Sequence, residues 1–282
     1  MSSILDVRLR GDGERLTMLL VTGHEPWNDE AEYSLRRLLL PLAERLNTAI
    51  VRVETDDSWN PPSVVIELQP PIRRRSIGQL LDLAEDFSAL AAAAQGHGLT
   101  PGSTADLLRG GRPDALVGQP ETDWLDAKRT APQITSNVDK LSFAKDVAAF
   151  ANSDPGGLLA LALRTRRTSA GDVIERVTPF PANLLVPTRL RAIVRARVYA
   201  PPLGVRIEAI KLGSGLAVGL VHVPAQPPER KPFVVRGAVV DGRVREQFVG
   251  VPVRVGEDTV WDDLAGIHAQ LVAGRVALSA TP

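Results

Sequence analysis

The sequence predicts an α+β protein of two domains. A small N-terminal α/β domain of order ββαββα takes residues 1–95, a linker takes 96–116, and a C-terminal mixed-sheet domain takes 117–282. Three observations carry this. Hydrophobic periodicity switches between two and 3.6 residues along the first hundred positions. Residues 96–118 then hold six glycines and two prolines, which reads as a break. Residues 121–157 hold an amphipathic helix pattern that ends in Gly156-Gly157 and opens into an unalternating apolar run. A length of 282 residues suits two domains, at roughly 100–200 residues each.

Residues 4–10 alternate apolar and polar and read as a strand, Asp12-Gly13 as a turn, and 16–21 as a second strand. Asn28 is placed to cap a helix whose buried stripe is Leu35, Leu38, Leu39, Leu42 and Leu46. Pro41 lies inside that helix and is expected to kink or split it. Strands are expected at 49–54 and 64–68, separated by a loop that holds Trp59. Ser76 caps a second helix carrying Ile77, Leu80, Leu81, Ala84, Phe87, Leu90 and Ala91. Residues 98–104 invite a phosphate-loop reading, but the lysine that would reach the phosphates is missing.

In the second domain Leu141, Ala144, Val147, Ala148 and Ala151 mark one helical face, with Asn137 as its N-cap. The run 158–163 lacks alternation, as a strand buried on both faces does. Residues 189–199 fit a helix. Residues 205–212 and 216–223 form a hairpin around Gly213-Ser214-Gly215. Further strands are expected at 233–236, 239–244 and 248–255, with a last helix from Thr259 through Ile267, Leu271 and Val272.

Several residues stand in a recognisable order: Glu121, Asp126 and Lys128, then Phe150-Ala151-Asn152, Gly156-Gly157, Lys231-Pro232-Phe233 and Arg254-Val255-Gly256. Over roughly the last three-fifths of the chain this order resembles the Schlafen-type AlbA-like domains, a family of nucleic-acid-binding domains. The resemblance implies a Schlafen AlbA-like fold for the C-terminal domain, nucleic acid as partner, and bacterial antiviral defence as the setting. In the nuclease members two acids, here Glu121 and Asp126, hold a metal ion, which would be Mg or Mn, and a third acid follows the glycine pair. By ungapped alignment from Gly157 that third position is Arg164 here. The family's two acids and lysine make Glu121, Asp126 and Lys128 the candidate catalytic set. Asp154 and Asp172 are the acids that could replace the third.

The chemistry of these residue types is independent of the resemblance. Paired carboxylates suit a hard divalent cation, and a nearby lysine can stabilise charge on a phosphate. Asp126 and Lys128 share a face if the segment is a strand, whereas Glu121 needs a bend near Trp124 to join them. A guanidinium at position 164 would repel a cation and grip a phosphate, which favours binding over cutting. Lys128, Arg129, Arg164, Arg166, Arg167, Arg191 and Arg195 are the candidate phosphate contacts. Arg191 and Arg195 are spaced to share a helix face. Their alternative is an ordinary solvated surface in an arginine-rich chain.

Composition excludes several classes. There is no cysteine, so neither disulfides nor thiolate metal sites can form. His24, His97, His222 and His268 lack metal-ligand spacing. Trp27, Trp59, Trp124 and Trp261 read as packing residues rather than base platforms. No apolar run reaches the roughly 20 residues that cross a bilayer, and the N-terminus does not read as a secretion signal, so a cytoplasmic protein is expected. Charge divides unevenly: residues 1–116 hold 12 Lys+Arg against 17 Asp+Glu, and 117–282 hold 21 against 16. A basic C-terminal half suits a polyanion. The function expected is nucleic-acid binding through the backbone. The alternatives are a metal-dependent endoribonuclease and a non-enzymatic adaptor whose N-terminal domain recruits a protein partner. An oligomer is compatible with the chain.

Overall fold

The structure is a computed structural model that describes residues 6–11, 16–23, 29–56, 63–71, 75–93, 99–169, 171–213 and 215–280. It is α+β and divides into two compact units, Met1–Leu116 and Val117–Pro282. Asp12-Gly13, His24, Trp27, Asn28, Trp59, His97 and Ser214 fall outside the described residues.

The first unit contains β1 (Asp6–Gly11), β2 (Leu16–Gly23), α1 (Asp29–Arg45), β3 (Ala49–Asp56), β4 (Ser63–Gln69), α2 (Ile77–Ala93), α3 (Pro101–Arg109) and a 3-10 turn, η1 (Pro113–Leu116). Its sheet has the order β1-β2-β4-β3, antiparallel throughout. Leu35, Leu38, Leu39 and Leu42 are buried as their spacing requires. Helix α1 runs through Pro41 as one element rather than splitting there. Ser76 caps α2 reciprocally with Gln79. Ile77 and Leu81 lie off the buried stripe and are exposed; Leu83 takes a buried place instead.

Residues 99–116 are not an open linker. Thr100 and Ser103 form a capping box that starts α3. Leu107 and Leu108 are fully buried, and α3 packs on α1 and α2. Glycine content reads as a break, but here a good cap and an apolar stripe outweigh it.

The second unit contains β5 (Leu125–Lys128), α4 (Asn137–Asn152), β6 (Gly156–Leu161), β7 (Leu163–Thr168), β8 (Gly171–Val177), β9 (Phe180–Pro181), η2 (Ala182–Leu184), α5 (Pro187–Arg197), β10 (Val198–Tyr199), β11 (Arg206–Gly213), β12 (Leu216–Pro224), η3 (Pro228–Arg230), β13 (Val234–Val240), β14 (Arg243–Gly250), β15 (Pro252–Val255), β16 (Asp258–Trp261) and α6 (Leu264–Ala280). The main sheet runs β11-β12-β6-β5, with β9 also on β12. Strands β5 and β6 are parallel, joined by α4 as the crossover. β6 is buried along its whole length. A second sheet is β10-β13-β14, and β7–β8 and β15–β16 are hairpins.

Four expectations shift. The cap of α4 is Ser136, in a capping box with Asp139, rather than Asn137. The side-chain hydroxyl of Thr135 and three further hydrogen bonds hold the Asp139 carboxyl down at about 2. Residues 239–244 are not one strand: Asp241 and Gly242 take positive φ and turn β13 into β14. Residues 248–255 divide between β14 and β15. Thr259 lies in β16, and α6 begins later, where Asp263 accepts from the Gly266 N–H. Leu271 and Val272 on α6 are exposed.

The glycine pair sets the close approach that joins α4 to β6. Gly156 has φ +75° and lies against the Val223–Ala225 backbone, while a Cβ at 157 would overlap the Phe150 ring. Asn152 then ties the end of α4 to distant segments. Its side chain donates to the Phe233 and Pro252 carbonyls at 3.0 and 2.8 Å and accepts from the Phe233 N–H at 2.7 Å. Lys231 donates to the Ser153 carbonyl at 3.1 Å.

Candidate functional site

Strand β5 presents Asp126 and Lys128 on one face, as a spacing of two demands. They stand beside Leu159 and Leu161 of β6. Asp126 is buried, and the Lys128 ammonium lies 2.8 Å from its Oδ1. Burial works to lower the Lys128 pKa, but the charge and hydrogen bond of Asp126 outweigh it and leave it raised. Glu121 joins through a bend at Thr122. The Thr122 hydroxyl accepts from the Trp124 and Leu125 N–H groups at 3.3 and 3.1 Å. The turn lets Glu121 Oε1 accept from the Ala127 N–H at 2.7 Å. Burial pushes the Glu121 carboxyl up to about 7; the Ala127 hydrogen bond opposes this and the Asp126 charge reinforces it.

Two further acids meet Glu121. One carboxylate oxygen from each of Glu121, Asp172 and Glu257 lies within 4.8 Å of the others. Oxygen donors in that arrangement suit a hard divalent cation. Asp126, expected to pair with Glu121 on a metal, is not a member of this group of three. Asp172 stands at the start of β8, and its N–H donates to Glu257 Oε2 at 2.9 Å. That bond, and then Arg167, hold the Glu257 carboxyl below its usual value. Arg167 pairs with Glu257 and lies 3.6 Å from Asp172, so a guanidinium already shares the cluster.

Glu257 had no motif of its own in the sequence. It follows the Arg254-Val255-Gly256 turn, which was the available signal. Arg254 donates to the Thr122 and Asp123 carbonyls at 3.0 and 3.3 Å and lies over the Phe150 ring at 5.1 Å. These bonds hold the turn against the bend that carries Glu121.

The remaining predicted residues sit elsewhere. Arg164 pairs with Glu175 at 3.2 Å. Asp154 pairs with Lys231 at 2.9 Å and stays outside the acidic cluster. Arg129 and Arg166 are exposed. Trp261 is partly exposed with the Lys145 ammonium 5.2 Å over its ring, so it is not a core residue. Arg191 and Arg195 do share a face of α5, and both line an open groove with Thr188, Ala192 and Ala196. The Arg191 guanidinium donates to the Ile207 carbonyl at 3.0 Å, which orients it without neutralising it. The opposite flank of α5 carries a second groove with Lys140, Arg189, Arg197, Arg236 and Glu246.

The raised Glu121 value gives a signed prediction. A carboxyl whose folded pKa exceeds its unfolded value destabilises the fold once ionised. That cost is absent below the reference value of 4.5 and fully developed above about 7. A shift of this size corresponds to about 3 kcal/mol at most, and partial exposure of the group reduces it to about 1–2 kcal/mol. Glu121→Gln retains an oxygen for the Ala127 N–H. It is expected to stabilise the second unit by about 1–2 kcal/mol near pH 8 and not near pH 4. Urea unfolding at both pH values measures this; equal midpoints for the two proteins near pH 8 would refute it.

No protein-family profile matches the chain, and no curated protein matches it. Among solved structures, the DIP2311 protein of Corynebacterium diphtheriae aligns over 51% of this chain and 26% of its own, at 16% identity and a TM-score of 0.30. The N-terminal domain of a RecG-related protein of Nitrosomonas europaea aligns over 51% of this chain and 84% of its own, at 22% identity and a TM-score of 0.31. This chain therefore spans about a quarter of the first of these. No described helix is long and apolar enough to cross a membrane.

Proposed function

We propose that the second unit binds nucleic acid through its phosphate backbone, on the face of α5. The observation that carries this reading is the charge of the two grooves flanking that helix. They are lined by Lys140, Arg189, Arg191, Arg195, Arg197 and Arg236 against the single carboxylate of Glu246, which pairs with Arg197 and Arg236 and leaves Lys140, Arg189, Arg191 and Arg195 in excess. Both grooves share Ala192 and Ala196, small residues one turn apart that leave the exposed Arg189, Arg191 and Arg195 standing above the helix surface. Arg189 and Arg191 are oriented by backbone carbonyls, which leaves their charge free to meet a phosphate. Arg129 and Arg166 are further exposed cations of the same unit, while Arg164 and Arg167 are engaged by Glu175 and Glu257.

Binding of single- and double-stranded RNA and DNA by the full chain across a salt series tests this. Affinity is expected to fall steeply with salt, because neutralised phosphates release counterions. Arg191→Ala with Arg195→Ala removes two contacts. The double variant should flatten the slope of log K against log salt by about 1.5 and weaken binding about tenfold near 0.1 M salt. Absence of binding to every nucleic acid at low salt would favour the adaptor reading.

The Glu121, Asp172 and Glu257 cluster favours a second reading, metal-dependent endoribonuclease activity. Arg167 weighs against it, since its guanidinium lowers the cluster's affinity for a cation. Cleavage of RNA with magnesium or manganese, abolished by Glu121→Gln and by Glu257→Gln, would establish the nuclease; weak or absent cleavage is expected.

A further inference from the structure

Strands β5 and β6, helix α4 and the segment 129–134 line an open pocket of about 410 Å³. That volume falls within the roughly 300–1,000 Å³ of small-ligand pockets. Its apolar surface comes from Ile134, Phe143, Leu159 and Leu161, and its charged groups include Lys128, Arg129 and Asp146. Phe143 and Asp146 are three apart on α4 and so face the cavity together. Asp139 also lines it, but Thr135 and Ser136 occupy that carboxylate. Asp146 is half-buried, and its carboxylate makes no hydrogen bond among the described residues. Burial first, and then the Asp126 charge, push its carboxyl up to about 6, with Lys128, Arg254 and Lys145 opposing.

The chemistry of the lining selects its ligand. An ionised carboxylate only accepts hydrogen bonds, and its two oxygens match two N–H groups side by side. Lys128 is already paired with Asp126, so Arg129 is the exposed lining cation left to favour an anionic group beside the donors. A flat ring suits the apolar walls and the Phe143 side chain. Among the nucleobases, guanine alone presents two adjacent donors, N1–H and N2–H, on one edge. The pocket also adjoins the arginine face: the carbonyl of Ile134, one of its lining residues, accepts from Arg189 at 2.6 Å.

We propose that this pocket takes an unstacked guanine of single-stranded nucleic acid whose backbone crosses the arginine face of α5, with Asp146 accepting from N1–H and N2–H. This rests on the binding reading above. Only an unpaired base can offer that edge, because in a duplex it is used in base pairing. Arg129 would then meet the phosphate beside that base.

The test compares two single-stranded oligomers on the full chain, one of about eight uridines and one with a central guanosine, a length within the usual span of single-strand sites. The guanosine oligomer is expected to bind about tenfold tighter, the scale of one good bidentate base contact. The same preference is expected for deoxyribose oligomers with thymine for uracil, since the contacts are to the base. Asp146→Asn should abolish the preference and leave binding of the uridine oligomer intact. Ser142 is an exposed lining residue, so Ser142→Phe fills the pocket without touching the core and should have the same effect. Equal affinity of the wild-type chain for the two oligomers, with binding of both retained, would overturn the pocket assignment alone. Binding of neither would overturn it together with the backbone reading.

Discussion

Gly156→Ala is expected to cost the second unit about 2–5 kcal/mol. Two terms add. An L-residue at φ +75° meets left-handed strain, about 1–2 kcal/mol. Its Cβ would also overlap the Val223 carbonyl oxygen and press on Pro224 and Ala225. Those atoms are backbone, and Val223 and Pro224 pair with Gly157 and Gly156 in the sheet, so they cannot yield without opening the β12–β6 ladder. Overpacking of this kind adds about 1–3 kcal/mol. A domain with about 5–15 kcal/mol of total stability keeps little margin after such a loss. Soluble yield and urea unfolding of the variant measure it. An unchanged unfolding midpoint would show that the turn rearranges around the added methyl and that close approach does not require glycine there.

Asn152→Ala is expected to cost about 2–4 kcal/mol. The side chain satisfies three backbone groups, on Phe233 and Pro252. Each lost hydrogen bond costs about 0.5–1.5 kcal/mol, and more where a buried partner is left unpaired. The effect should reach the acidic cluster. Pro252 opens β15, which carries Arg254, and Arg254 holds the Thr122–Asp123 carbonyls beside Glu121. Loosening that chain should let water reach Glu121 and lower its carboxyl from about 7 towards its reference value of 4.5. Titration of Glu121 by carbon NMR in both proteins would show it. A destabilised variant with an unmoved Glu121 titration would mean that the staple supports the fold but not the site. The motif residues Phe150, Asn152, Phe233 and Arg254 thus act as fasteners around one end of α4.

Local signals were legible because they depend on neighbours a few positions apart. The period of two placed Asp126 and Lys128 on one face, and their ion pair follows from it. The period of 3.6 found the buried faces of α1 and α4. Gly156-Gly157 announced a tight junction, and the structure supplies its two causes, a positive φ and the Phe150 ring. Asp241-Gly242 was an equally local signal that the strand assignment over 239–244 passed over, although both residues take positive φ. Thr100 and Ser103 were another, outweighed in the reading by the glycines around them.

The sequence by itself determined the ββαββα order up to residue 93, the α+β class, the face shared by Asp126 and Lys128, and the face shared by Arg191 and Arg195. Each depends only on the repeat of the backbone and on the side chains next to it. The tertiary structure alone decided which acids meet. Glu257 reaches Glu121 because Arg254 binds the Thr122–Asp123 backbone, and Asp172 because the β7–β8 hairpin folds beside it. It also decided that Arg164, Arg167 and Arg197 spend their charge on Glu175, Glu257 and Glu246 while Arg191, held by a backbone carbonyl, keeps its own. Coulombic interactions act through space, and proximity between distant positions exists only once sheets and turns have closed.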